Sequence, residues 1–110
     1  MIKLNIDVKT HLQKNNEFLQ ALDQLLVDLR KEEGNLKYGY QQSKDDSTKI
    51  QLWAEWQTWE NLEKHLRGEY FTILLGAIRV LCEEPLVKID NVSETSGIDS
   101  VDKWGEKYKT

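Results

Sequence analysis

Residues 50–68 read IQLWAEWQTWENLEKHLRG. The first half alternates. Ile50, Leu52, Ala54 and Trp56 share one face, and Gln51, Trp53, Glu55 and Gln57 share the other. A period of two marks a strand with one buried face. Thr58 breaks that pattern. Its side-chain oxygen is suited to cap a helix, and Glu60 falls in the first turn, where the helix dipole favours an acid. The helix is short and stops near Gly68. A strand therefore passes into a helix within a few residues, and the rest of the fold is read outward from this junction.

Upstream, SKDDST (43–48) is a polar turn. Before it, Leu36, Tyr38 and Tyr40 alternate with Asn35, Lys37 and Gly39, which predicts a strand pairing as a hairpin with the one at 50–57. Farther back, Phe18, Leu22, Leu25, Leu26 and Leu29 form one apolar helical stripe. Thr10 with Gln13 makes a capping box for that helix, Asn15 and Asn16 offer a later start, and Gly34 reads as its stop. Ile2, Leu4, Ile6 and Val8 alternate with Lys3, Asn5 and Asp7 as a first strand. Downstream of Gly68, Phe71, Leu74, Leu75, Ile78 and Cys82 repeat at helical spacing. Pro85, the only proline, closes that helix. Leu86, Val87, Ile89 and Val92 make a last strand.

The order is β-α-β-β-α-β. It predicts an α+β, ferredoxin-like fold: an antiparallel four-stranded sheet with helices on one face. The face carrying Ile2, Leu4, Ile6, Leu36, Tyr38, Leu52 and Trp56 is expected under the helices. The other face is polar except for Trp53, and a large aromatic there suggests contact with a partner. Residues 1–93 form the expected domain. Residues 94–110 read as a tail, with Ile98, Val101, Trp104 and Tyr108 as docking residues.

Composition narrows the function. At 110 residues the chain holds one domain. Fifteen basic and 19 acidic residues give a net charge of −4 with no basic stripe, which argues against nucleic acid and against a polybasic membrane anchor. The first ten residues lack a signal-peptide core, no apolar run is long enough to span a bilayer, and a cytoplasmic location is expected. One cysteine excludes an internal disulfide and a thiolate metal cluster. Two histidines make no metal site, and no phosphate loop, HExxH, CxxC or Gly-x-Ser-x-Gly is present. No metal is expected.

The densest group of chemically able side chains is WQTWENLEKHLRGEYF (56–71). Asn61 and His65, four apart, share one helix face, and Tyr70 follows the Gly68 break. Asn donates and accepts hydrogen bonds, His is a base near neutral pH, and Tyr donates. Taken as residues alone, these also fit a solvent-facing Asn and a structural His, and that is the plainer reading.

The runs EEGNLKYGY (32–40), LWAEWQTWENLEKHL (52–66), EYF (69–71) and EEPLVKI (83–89) together resemble the antibiotic biosynthesis monooxygenase family, of the dimeric α+β barrel superfamily. The resemblance covers residues 1 to about 93. It implies a homodimer joined through the sheet face bearing Trp53, and a pocket between helices and sheet. It implies a monooxygenase that oxidises a small aromatic ligand, quinol- or anthrone-like, with O2 and no cofactor. His65 would be the base, Asn61 and Tyr70 donors, and Trp56, Phe71 and Tyr38 the pocket. The pair His65-Leu66 matches the quinol-oxidising type. Haem-degrading members need a first-strand Asn, a Trp and a His. Here Asn5 and Asp7 lie on the wrong face, His65 stands at the Trp position and Leu75 near the His position, so haem cleavage is not expected. A non-enzymatic dimeric ligand-binding protein and an isomerase of a small carbonyl compound are the alternatives.

Overall fold

A computed structural model describes residues 1–91. Val92, the 93/94 boundary and the tail at 94–110 with its four docking candidates lie outside the described residues.

The elements run β1 (Ile2–Lys9), α1 (Asn15–Leu29), β2 (Asn35–Gln42), β3 (Lys49–Trp56), α2 (Trp59–Leu66), α3 (Glu69–Leu81) and β4 (Leu86–Asn91). The strands form one antiparallel sheet in the order β2-β3-β1-β4. This is the ferredoxin-like arrangement, with the second helical region split at Gly68. The alternation in β1 and β3 is realised directly: Ile2, Leu4, Ile6, Val8, Ile50, Leu52, Ala54 and Trp56 are buried beneath the helices. Phe18, Leu22 and Leu29 of α1 and Leu74 and Ile78 of α3 close over them.

On the opposite face, Trp53 pairs across the ladder with Gly39, and its ring covers that glycine. A Cβ at position 39 would come within 2.9 Å of the indole. The aromatic is thus half-buried by its own hairpin, an arrangement that shields strand backbone at a glycine.

Three expectations are corrected. Helix α1 begins at Asn15, the later of the two starts. Thr10 instead bridges to Cys82, and Gln13 takes a left-handed φ of 68°, so no capping box forms. The helix ends at Leu29 rather than running to Gly34. The amides of Lys31 and Glu32 bond back three residues, to Asp28 and Leu29, which tightens the chain out of the helix. Gly34, with φ of +79°, completes the turn into β2. Leu36 is 52% exposed instead of packed in the core. The register steps from Asn35↔Trp56 to Lys37↔Glu55, so a bulge absorbs Leu36 and turns it outward, while Tyr38 keeps its inward parity.

Candidate active site

The junction after β3 places His65. Thr58 caps α2 by accepting from the Asn61 amide at 3.1 Å, and its hydroxyl donates to Asn61 Oδ1 at 2.8 Å. Leu62, His65 and Leu66 form the buried stripe of this single amphipathic stretch. His65 is 1% exposed although it lies one residue from the helix end.

Four groups surround the imidazole. Trp56, at the end of β3, stacks on it at 4.5 Å between ring centroids and 28° between planes. Phe71 of α3 lies 5.0 Å away, tilted. Tyr38 of β2 meets it edge-on at 5.5 Å. Glu32, released by the early end of α1, brings Oε1 to 2.5 Å from Nδ1.

That last contact depends on the turn. Gly34 accepts a hydrogen bond from Gln57 N at 2.8 Å, fastening the turn to the exit of β3. The Asn61 side chain fills the space that a Cβ on Gly34 would occupy. Positive φ and close approach both require glycine there.

An ionised carboxylate can only accept, which assigns Nδ1 as the donor toward Glu32. Nε2 then accepts from the Tyr38 hydroxyl at 3.2 Å. Burial holds the ring neutral by pushing its pKa down to about 4. Burial also raises the Glu32 carboxyl, and burial with the nearby Glu32 charge raises the Tyr38 phenol well above its usual value. At neutral pH the chain reads phenol O–H to imidazole N, imidazole N–H to carboxylate. The buried indole Nε1 of Trp56 has no hydrogen-bond partner among the described residues.

A cleft of about 120 Å³ opens beside this pair, lined by Glu32, Glu33, Asn61, Lys64 and His65. Lys64 and Glu33 pair across its rim at 3.5 Å, both exposed. Larger surface clefts lie elsewhere: one of about 430 Å³ among Asp7, Lys9, Gln42, Lys49, Glu83 and Glu84, with none of the expected site residues, and one of about 300 Å³ lined by Tyr38 and Trp53 with Arg30, Asn35, Leu36 and Lys37. Among the described residues no group of three His, Cys, Asp or Glu side chains is placed to hold a metal ion. No helix among them is long and apolar enough to cross a membrane.

Of the expected site residues, Trp56, Phe71 and Tyr38 pack on the His65 ring and are themselves buried, so they enclose the imidazole and do not line the cleft, whereas Asn61 lines the cleft with His65. Tyr70 does neither. It is half-buried on α3, packed against the core, and no hydrogen bond joins it to His65 or Asn61. Tyr38 supplies the phenol at His65 instead. Glu32 is not among the residues that the sequence singles out for chemistry, although it opens the EEG run at 32–34. An acid before a glycine turn is a common surface motif, and only the folded turn brings it to a histidine 33 positions away.

The comparisons agree with this architecture. No curated protein matches the chain. A solved structure of an antibiotic biosynthesis monooxygenase superposes with a TM-score of 0.77 at 20% identity, covering 84% of this chain and 98% of that one. A conserved protein of unknown function from Bacteroides thetaiotaomicron gives 0.74 at 25% identity, covering 80% and 93%. A mutant form of SnoaB, a cofactor-independent oxygenase from Streptomyces nogalater, gives 0.75 at 14% identity, covering 86% and 94%. The sequence profile of the family described as antibiotic biosynthesis monooxygenase matches residues 1–73. The chain belongs to the antibiotic biosynthesis monooxygenase family.

Proposed function

We propose that this protein is a cofactor-independent monooxygenase of a small, electron-rich aromatic substrate, a quinol or an anthrone-like phenol. The observation that carries the reading is the neutral His65 imidazole. It is oriented by Glu32, contacted by a phenol at Nε2 and walled by Trp56 and Phe71. The likeness to a cofactor-independent oxygenase of the same fold supports it.

In this reading His65 is the base. A substrate phenol takes the place of the Tyr38 hydroxyl on Nε2 and gives up its proton there. The resulting phenolate is electron-rich enough to pass an electron to dioxygen. The two radicals combine, one oxygen atom enters the product, and the other leaves as water. The substrate supplies all four electrons. The substrate extends from Nε2 round the ring edge to the cleft on the Glu32 side, where Asn61 donates to the developing oxyanion, while Trp56 and Phe71 cover the ring faces against water. Tyr70 keeps its assignment as a second donor only if substrate binding draws α3 toward the cleft.

The working unit in this reading is a homodimer joined through the sheet face of Trp53. Support comes from that half-buried aromatic on an otherwise polar face, which also carries the exposed Leu86. The reaction is assigned to the cytoplasm.

The test is isotopic. Metal-free protein is incubated with a panel of hydroquinones and anthrones under labelled dioxygen. One labelled oxygen atom per product molecule is expected. A product labelled only from water overturns the oxygenase reading. A dimeric protein that binds a small ligand without turnover is the second reading, favoured by the burial of His65 Nε2 behind Tyr38, which keeps the base from a ligand in the cleft. Binding of panel members with no product would select it.

A further inference from the structure

We infer that Glu32 is the positioning residue of His65 and its proton connection to water: it holds the ring in the Nδ1–H form and carries protons between the buried imidazole and the cleft of Glu33, Asn61 and Lys64. The bearing of this on catalysis rests on the proposed function. Its test does not.

The geometry supports both halves of the inference. The His65 side chain is fully buried and that of Glu32 is 19% exposed. One carboxylate oxygen is on Nδ1. The other lies toward Gly68, where a Cβ would stand 3.4 Å from Oε2, so Glu32 is seated between two turns rather than swinging free. On the far side of the ring, Nε2 meets the Tyr38 hydroxyl, on a residue itself only 3% exposed. The ring faces are covered by Trp56 and Phe71, which carry no titratable group. The charged and titratable groups facing His65 are therefore Glu32 and Glu33 from the turn after α1, Lys64 from its own helix and Tyr38 from β2. α3 and β3 bring apolar rings. Among the described residues, Glu32 is the ionisable side chain that touches both the ring and the cleft.

The proton bookkeeping is simple. A proton arriving at Nε2 makes an imidazolium. Nδ1 passes its own proton to the Glu32 carboxylate, the resulting carboxylic acid gives it to water in the cleft, and the ring is left neutral with its proton on Nε2. The reverse sequence restores the Nδ1–H form. Without an acceptor at Nδ1 the ring loses what selects its tautomer, and without an ionisable group there proton traffic through the cleft slows.

The test is nitrogen NMR of the full chain labelled at histidine, with Glu32→Gln and Glu32→Leu. In the native protein the signal is expected from the Nδ1–H form between pH 5 and 8. The amide oxygen of Glu32→Gln still accepts from Nδ1, so this variant should keep the tautomer and slow exchange of the ring proton with water at least tenfold. Glu32→Leu should shift the ring toward the Nε2–H form, donating to Tyr38. If Glu32→Leu does not fold, Glu32→Gln alone decides through the exchange rate. A native ring in the Nε2–H form, or an exchange rate unchanged in Glu32→Gln, overturns the inference. Neither readout requires turnover, so a protein that oxidises none of the phenols still decides it.

Discussion

Acid should weaken this protein through one residue. His65 is nearly inaccessible, and burial lowers its pKa from 6.5 to about 4. The unfolded ring takes up a proton below about 6.5, and the folded ring does so only below about 4. Between these values unfolding binds a proton, so stability falls as pH drops through that window and is flat above it. The full window corresponds to about 3 kcal/mol. That is a large share of the roughly 5–15 kcal/mol typical of a domain. Glu32 acts in the opposite sense, because burial makes its native carboxyl hold a proton more readily. Because Glu32 touches the ring, the comparison with a variant that retains Glu32 reads the imidazole's effect together with any change it makes in Glu32. The assay is urea unfolding of the native protein and of His65→Gln at several pH values from about 7 to about 4, the span of the histidine window. The variant removes the titration while leaving a polar partner for Glu32 and Tyr38. The native protein should lose about 3 kcal/mol more than the variant across that span. Superimposable pH profiles would refute the reasoning.

Three other substitutions probe the supports of the site. Tyr38→Phe leaves the buried Nε2 acceptor unpaired and should cost about 1–3 kcal/mol in chemical unfolding, with the sheet unchanged by circular dichroism. Thr58→Ala removes the cap of α2 and should cost about 1 kcal/mol in the same assay. Gly34→Ala forces a side chain into positive φ and into Asn61, and should cost roughly 3 kcal/mol, whereas the exposed Gly76→Ala should be neutral or stabilising by up to about 1 kcal/mol. Trp53→Ser tests the proposed sheet-face homodimer: sedimentation at micromolar concentration should shift from dimer toward monomer, and an unchanged dimer would place the interface elsewhere.

The fold is legible in the sequence wherever side-chain periodicity is a direct image of burial. β1 and β3 alternate without interruption because each buries one full face, and the α1 and α3 stripes follow the same logic. Leu36 departs from its expected place because a bulge shifts parity without changing the residue pattern, so strict alternation looks the same with or without it. The early end of α1 is hidden because Arg30, Lys31, Glu32 and Glu33 are adequate helix formers. What ends the helix is the turn fastened to Gln57 and Asn61, a contact made between distant parts of the chain. The site follows the same division. His65 and Asn61 are visible as a helix pair, and Trp56 as the end of a strand. Glu32 is not, because its value depends wholly on that turn. Tyr70 looks equivalent to Tyr38 as a phenol near the helix break, but strand parity aims Tyr38 at the imidazole while Tyr70 packs against the core at the start of α3.

The most direct test of the functional claim is oxygen uptake by metal-free protein with hydroquinones and anthrone-like phenols, compared with His65→Gln verified as folded. The account predicts uptake above the autoxidation rate in the native protein, with a loss of about two orders of magnitude or more in the variant, the scale of a missing general base. Equal uptake by the two proteins would contradict it.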